Sequence, residues 1–255
     1  MPITTDSRDK LTAALQGHLE LDHFGTFDID LTVFEWSSGE ENRNWWWQLQ
    51  RLPVLAWATG ALPADAPFDW DEVRRFNSLM VKQWWLHNAP GSDAMPPLAW
   101  HDHAAALRFS NLFRWAVWKS IQGSNQADLE IELELIENHA QWLLDEENYT
   151  RKTNHGFEQA WILLEFGLGL PDLPTARKAR EVATQRVNDE LAFAFTPQGV
   201  HKENSPGYHL FMIRRVERLQ SMLASYGHKL DIDLASLSHK AGEYLNAVAS
   251  SDGSL

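Results

Sequence analysis

The chain of 255 residues contains no cysteine. Disulfides, thiolate metal sites and cysteine nucleophiles are thereby excluded, while the redox compartment stays open. No apolar run reaches the roughly 18 residues that a membrane-spanning helix needs, so a membrane is not an expected partner. The opening MPITTDSRDKL lacks a basic-then-apolar leader pattern, and any export signal would lie outside these residues. Positive charge is scarce, with 22 Lys and Arg against 35 Asp and Glu and a net charge of −13. A surface that tracks phosphates needs clustered cations, so nucleic acid is not expected, and an acidic ligand would need a local positive patch. The chain also lacks a G-x-S-x-G elbow, a Gly-rich phosphate loop, H-E-x-x-H and an aspartate-rich pyrophosphate motif.

Apolar and aromatic residues are abundant: 44% of the chain is hydrophobic, and 13 residues are tryptophan. That suffices for a sizeable core, and flat indole faces suit either a core or stacking on sugar rings. The apolar periodicity predicts helices at 42–59, 69–88, 100–121, 128–145, 154–168, 175–195, 206–226 and 234–249. Pro53 should kink the first, and Asp69 with Glu72 has capping-box spacing at the start of the second. The acidic run DLEIELELIENH reads as a solvated helix face with Leu and Ile turned inward. Leu19–Trp36 alternates partially and predicts short extended pieces. Short connections between helices imply antiparallel neighbours, hence a bundle or a toroid of helical hairpins. No boundary interrupts the pattern, so a single helical domain over 1–255 is expected.

Two helix starts carry unusual polar groups. In TNHGFEQAW, Thr153 or Asn154 can cap the helix, with His155 in the first turn and Gly156 presenting no side chain to block approach. Such an end exposes backbone N–H groups and the positive end of a helix dipole, which suits an anion; a plain cap beside a surface histidine is the simpler alternative. In HKENSPGYH, Ser205 is a natural N-cap, Pro206 suits the first helical position, and Tyr208 and His209 follow. Tyr208 continues into the apolar stripe Met212, Val216, Leu219 and Leu223, so it either joins the core or offers its hydroxyl to a cavity. Glu203 could orient a histidine, bind a sugar hydroxyl or be a loop acid. On the helix from Trp100, the residues His101, Ala104, Arg108, Leu112 and Trp115 share a face. A cation there needs an acid such as Glu203, an aromatic such as Trp115, or a substrate anion. His101 and His103 flank Asp102, but residues two apart do not face one another on a helix, so no metal site is expected.

In this order, WHDHAAALR, TNHGFEQAW and HKENSPGYH resemble the helical domain of the heparinase II/III-like polysaccharide lyases, a superfamily that also contains alginate lyases. The resemblance implies an all-α fold, an incomplete (α/α) toroid of antiparallel helical hairpins. Relatives follow it with a β-sandwich, and SSDGSL is similar to the lead into that domain; the chain is therefore expected to be the N-terminal part of a longer lyase, without the sandwich. The implied reaction is β-elimination on a uronic-acid-containing polysaccharide, without cofactor or metal. Asn154 matches the residue that neutralises the carboxylate, Tyr208 the acid and in some members the base, and His155 a base or carboxylate partner. Arg108, Glu203, His209, His101 and Trp115 are the expected substrate-binding shell. Relatives suggest a periplasmic or secreted protein, while the uronate, the cutting mode and the oligomeric state stay open. Two alternatives compete: hydrolysis by paired carboxylates such as Asp102 and Glu203, or a non-catalytic glycan-binding or assembly domain.

Overall fold

The computed structural model describes residues 5–32, 34, 36, 42–61, 68–90, 98–203 and 205–248. They form ten α-helices and one two-stranded hairpin. The chain groups into two compact units, Met1–Gln141 and Trp142–Leu255, with the division inside one helix.

Unit 1 begins with a helix that apolar periodicity does not signal, α1 (Thr5–Leu15), because only a narrow Leu11/Ala14 face is apolar. It is anchored by the stem of Lys10, whose Nζ reaches Asp22 at 2.7 Å. The extended pieces are β1 (His18–Leu21) and β2 (Gly25–Asp28), an antiparallel pair in which His18 faces Asp28 and Leu21 faces Gly25. The predicted kinked helix is two helices, α2 (Arg43–Gln50) and α3 (Pro53–Gly60). Proline disfavours the helical region for the residue before it. Leu52 accordingly adopts a left-handed φ of 51°, and Pro53 starts α3, where its missing N–H costs nothing.

The helix α4 (Trp70–Asn88) is capped by Asp69, which accepts from the N–H groups of Asp71 and Glu72. Next come α5 (Asp102–Ile121) and α6 (Glu130–Leu144), the helix in which the division falls. Trp36, Trp84, Trp115 and Phe109 are fully enclosed in the core of unit 1. The acidic run departs from expectation at Glu132. This residue is buried and meets buried Lys119 at 2.7 Å, with Lys119 also donating to the Asp128 carbonyl. A desolvated carboxylate persists because its partner is equally close and further bonded.

Unit 2 contains α7 (Asn154–Gly169), α8 (Ala176–Ala194), α9 (Pro206–Tyr226) and α10 (Leu234–Val248). Glycine permits α7 and α8 to pack closely. A Cβ at Gly167, near the end of α7, would lie 2.8 Å from the Ala176 carbonyl at the start of α8; one at Gly156 would lie 3.0 Å from Glu190 Oε1 near the end of α8. The start of one helix therefore meets the end of the other, as an antiparallel hairpin requires. Among the described residues no helix is long and apolar enough to cross a membrane.

Candidate active site

Thr153, not Asn154, caps α7: its hydroxyl accepts from the Gly156 N–H at 3.0 Å and donates to the Thr150 carbonyl at 2.7 Å. Asn154 is the first helical residue, half-buried, with its amide oxygen 3.0 Å from the His155 N–H. The turn leading to it is held from three sides. Gln159, buried on α7, accepts from the Thr150 N–H at 3.0 Å and donates to the Asn148 carbonyl at 2.8 Å. Glu190, buried on α8, accepts from the Tyr149 hydroxyl at 2.6 Å and from the Lys152 N–H at 2.8 Å.

Lys152 has a left-handed φ of 62°, a conformation that a non-glycine residue keeps when its surroundings insist. Gly156 completes the clasp. A Cβ there would fall 2.2 Å from the Thr150 carbonyl, so this glycine serves the passage of its own chain rather than access for a ligand. Burial, opposed by these two donors, raises the pKa of Glu190. The Tyr149 phenol is pushed far above its ordinary value by burial and by the Glu190 carboxylate, so it remains a donor.

Asn154 lines a small cavity together with Lys152, Phe157, Phe193, Lys202, Glu203 and Met212. Its volume of about 40 Å3 is close to that of one or two waters, so a sugar could reach Asn154 only from the open side. Tyr208 does not line this cavity. It lies in the first turn of α9, where Ser205 accepts from its N–H, and it is 47% exposed with its ring against Phe211. Met212 stands four residues further along and lines the cavity, so the Tyr208 position shares a helix face with it. The apolar stripe thus ends before Tyr208, which is not a core residue. His155 is half-buried in the first turn of α7.

His209 is enclosed, and both of its nitrogens are engaged: Nδ1 accepts from the His201 N–H at 3.1 Å and Nε2 donates to the Ala241 carbonyl at 2.8 Å. This fixes a neutral tautomer that clasps the turn before α9 to α10.

The remaining predicted residues belong to unit 1. Arg108 is fully buried, with Nε donating to His139 Nε2 at 2.8 Å, Nη1 donating to the Gln50 carbonyl at 2.7 Å and its guanidinium carbon 3.9 Å from the centre of a Trp84 ring. Its partners are neutral, and the aromatic it stacks on is Trp84 rather than Trp115. Trp115 is enclosed and stacked on Trp118 at 4.9 Å. His101 precedes the first turn of α5 with Nδ1 2.6 Å from Asp102.

Sequence reading did not single out Tyr149, Gln159 or Glu190. Glu190 sits among the many charges of α8, and only its pairing across the hairpin distinguishes it. A larger cleft of about 530 Å3 in unit 2, lined by Glu146, Tyr149, Arg151 and Arg186 among others, includes none of the predicted residues. Its arginines both pair with Glu146, which leaves them less available to an anion.

The fold is that of the helical domain of solved heparan sulfate lyases, an all-α incomplete toroid. The chain belongs to the heparinase II/III N-terminus family, whose profile matches residues 2–235. Its structure is similar to heparan sulfate lyase HepC from Pedobacter heparinus, with a TM-score of 0.80 and 18% identity over 99% of this chain and 40% of that one. Heparinase III, the BT4657 gene product, gives a TM-score of 0.79 at 15% identity over 98% of this chain and 42% of that one. The chain thus spans less than half the length of these solved lyases. No curated protein sequence matches it.

Proposed function

We propose that the protein is a polysaccharide lyase, or the helical part of one, acting by β-elimination on a uronic-acid-containing polysaccharide. The observation that carries this reading is Asn154, clamped at the N-terminus of α7 on a solvent-open cavity that also receives Glu203. Family membership and the fold shared with heparan sulfate lyases support an acidic polysaccharide as substrate.

The chemistry has three requirements. The uronate carboxylate must lose its charge so that negative charge can build beside it, and the Asn154 amide with the nearby helix end supplies donors for that. A base must then remove the C5 proton; its electron pair forms the C4–C5 double bond as the C4–O bond breaks. An acid must protonate the departing oxygen. We assign the base to His155 or Tyr208 and the acid to Tyr208, whose exposed position leaves its hydroxyl open to a ligand. We assign Glu203, which lines the same cavity, to accept from a sugar hydroxyl. Arg108, Trp115 and His209 support the architecture in this reading.

Incubation of the full-length protein with heparan sulfate, alginate, hyaluronan and chondroitin, followed by ultraviolet absorbance, tests the proposal. Elimination leaves an absorbing unsaturated sugar end and hydrolysis does not. Asn154→Ala and Tyr208→Phe are expected to lower the rate at least ~100-fold without changing the melting temperature. Normal turnover in either variant would remove its assigned role, and saturated products would refute elimination.

A further inference from the structure

Phe193, in the last turn of α8, is 41% exposed and borders the cavity that Asn154 lines. Two ammonium groups lie against its ring: Lys152 Nζ at 5.4 Å and Lys202 Nζ at 5.2 Å from the centroid. They come from different segments, the turn before α7 and the turn before α9, and α8 fixes both backbones. Glu190 accepts the Lys152 N–H at 2.8 Å, and the Ala194 carbonyl accepts the Lys202 N–H at 2.9 Å. These two anchors are one helical turn apart and bracket Phe193. Among the described residues no carboxylate lies within 4 Å of either ammonium, although the Glu190 carboxylate in the same cavity feels the Lys152 charge, whereas Arg151, Arg186 and Arg215 of the same unit each meet a carboxylate directly. Both lysines line the cavity that holds Asn154 and Glu203.

Both ammonium charges border the same cavity, so an incoming anion there is attracted by each. The ring helps hold them through cation–π attraction. We propose that Lys152 and Lys202, presented on Phe193, form an anion subsite for a second acidic group of a glycan chain, a sulfate ester or the carboxylate of a neighbouring uronate. The inference deepens the lyase reading, since it takes the reacting uronate to sit at Asn154.

The test is isothermal titration calorimetry of the full-length protein with heparan sulfate and hyaluronan oligosaccharides at two salt concentrations, alongside the absorbance assay. The Lys152→Gln/Lys202→Gln variant is compared with Lys178→Gln/Lys229→Gln, which removes the same charge from exposed positions elsewhere in unit 2. The first variant is expected to bind roughly tenfold more weakly at low salt, with much less dependence on salt, while the second binds like the unaltered protein. A loss confined to heparan sulfate identifies sulfate as the recognised group, and a loss for both glycans identifies the carboxylate. Equal affinities in the two variants, or no binding of either glycan by the unaltered protein, would overturn the subsite. Weakened binding in the first variant without any elimination by the unaltered protein would keep the subsite and discard the lyase reading.

Discussion

Unit 1 and unit 2 use buried polarity differently around the residues singled out in the sequence, although each also buries a cation, Arg186 in unit 2 against Tyr149. Unit 1 takes cations into its interior, Arg108 among Trp84, Trp100 and His139, and Lys119 against Glu132. Unit 2 buries acceptors, Glu190 and Gln159, and spends them on one turn of backbone. It leaves Lys152 and Lys202 against an exposed aromatic. A cation enclosed by aromatics is committed to architecture, whereas a carboxylate that grips a turn fixes the side chains which that turn presents. In the proposed reading the Arg108 cluster is scaffold and the Asn154 turn carries the ligand chemistry.

The largest effect that could break this comparison is expected at Arg108. Arg108→Ala should cost about 3 kcal/mol or more in urea denaturation, since it removes the cation–π stacking and opens a cavity. Arg108→Met fills that volume without a buried charge and should stay within about 1 kcal/mol of the original stability. A harmless Arg108→Ala would show that the cluster does not hold unit 1 together.

Glu190→Ala comes next. It strands the Lys152 N–H and the Tyr149 hydroxyl and should cost about 2–3 kcal/mol, with elimination falling although Asn154 is intact. Glu190→Gln retains an acceptor oxygen and should recover most of both losses. Full activity in Glu190→Ala would show that the turn needs no clasp.

Gly156→Ala sharpens the same point, with an expected cost of about 1–3 kcal/mol because the new methyl meets the Thr150 carbonyl. Thermal melts of this variant that match the unaltered protein would mean that the turn can step aside.

The smallest effect is acid sensitivity. Burial, and then the charge of Arg108, hold the pKa of His139 well below the ordinary 6.5. The unfolded chain takes up a proton that the folded chain refuses, so this contribution is complete above about pH 6.5 and is lost as the pH falls below it. His201 and His228 of unit 2 are also lowered by burial and act in the same direction. Melting temperature followed from pH 7.5 to 5.5 should flatten more in His139→Gln than in His228→Gln, and equal flattening would remove the special standing of the Arg108 pair.

Several of these features are legible in the chain itself. Period-3.6 patterning placed the helices from α4 onward to within about two residues, because most of them bury a broad apolar face and several carry their own start signals, such as Asp69 and Ser205. Pro53 announced an interruption, but whether it kinks or separates depends on Leu52, whose left-handed backbone is settled by what packs around it. The ordered motifs around Asn154 and Tyr208 were enough to indicate the family. The fates of Arg108, Trp115, Glu132 and His209 were not legible: a polar or aromatic residue on a helix face looks the same whether a partner or a ligand meets it. Gly156 and Glu190 show the reason most directly, since a helical glycine and one acid among many acquire their purpose only when a turn thirty-eight residues from Glu190 is brought against it. Local sequence determined where helices begin and which faces turn inward; tertiary packing decided which polar groups are spent inside and which are left facing solvent, because desolvation and pairing depend on neighbours remote along the chain.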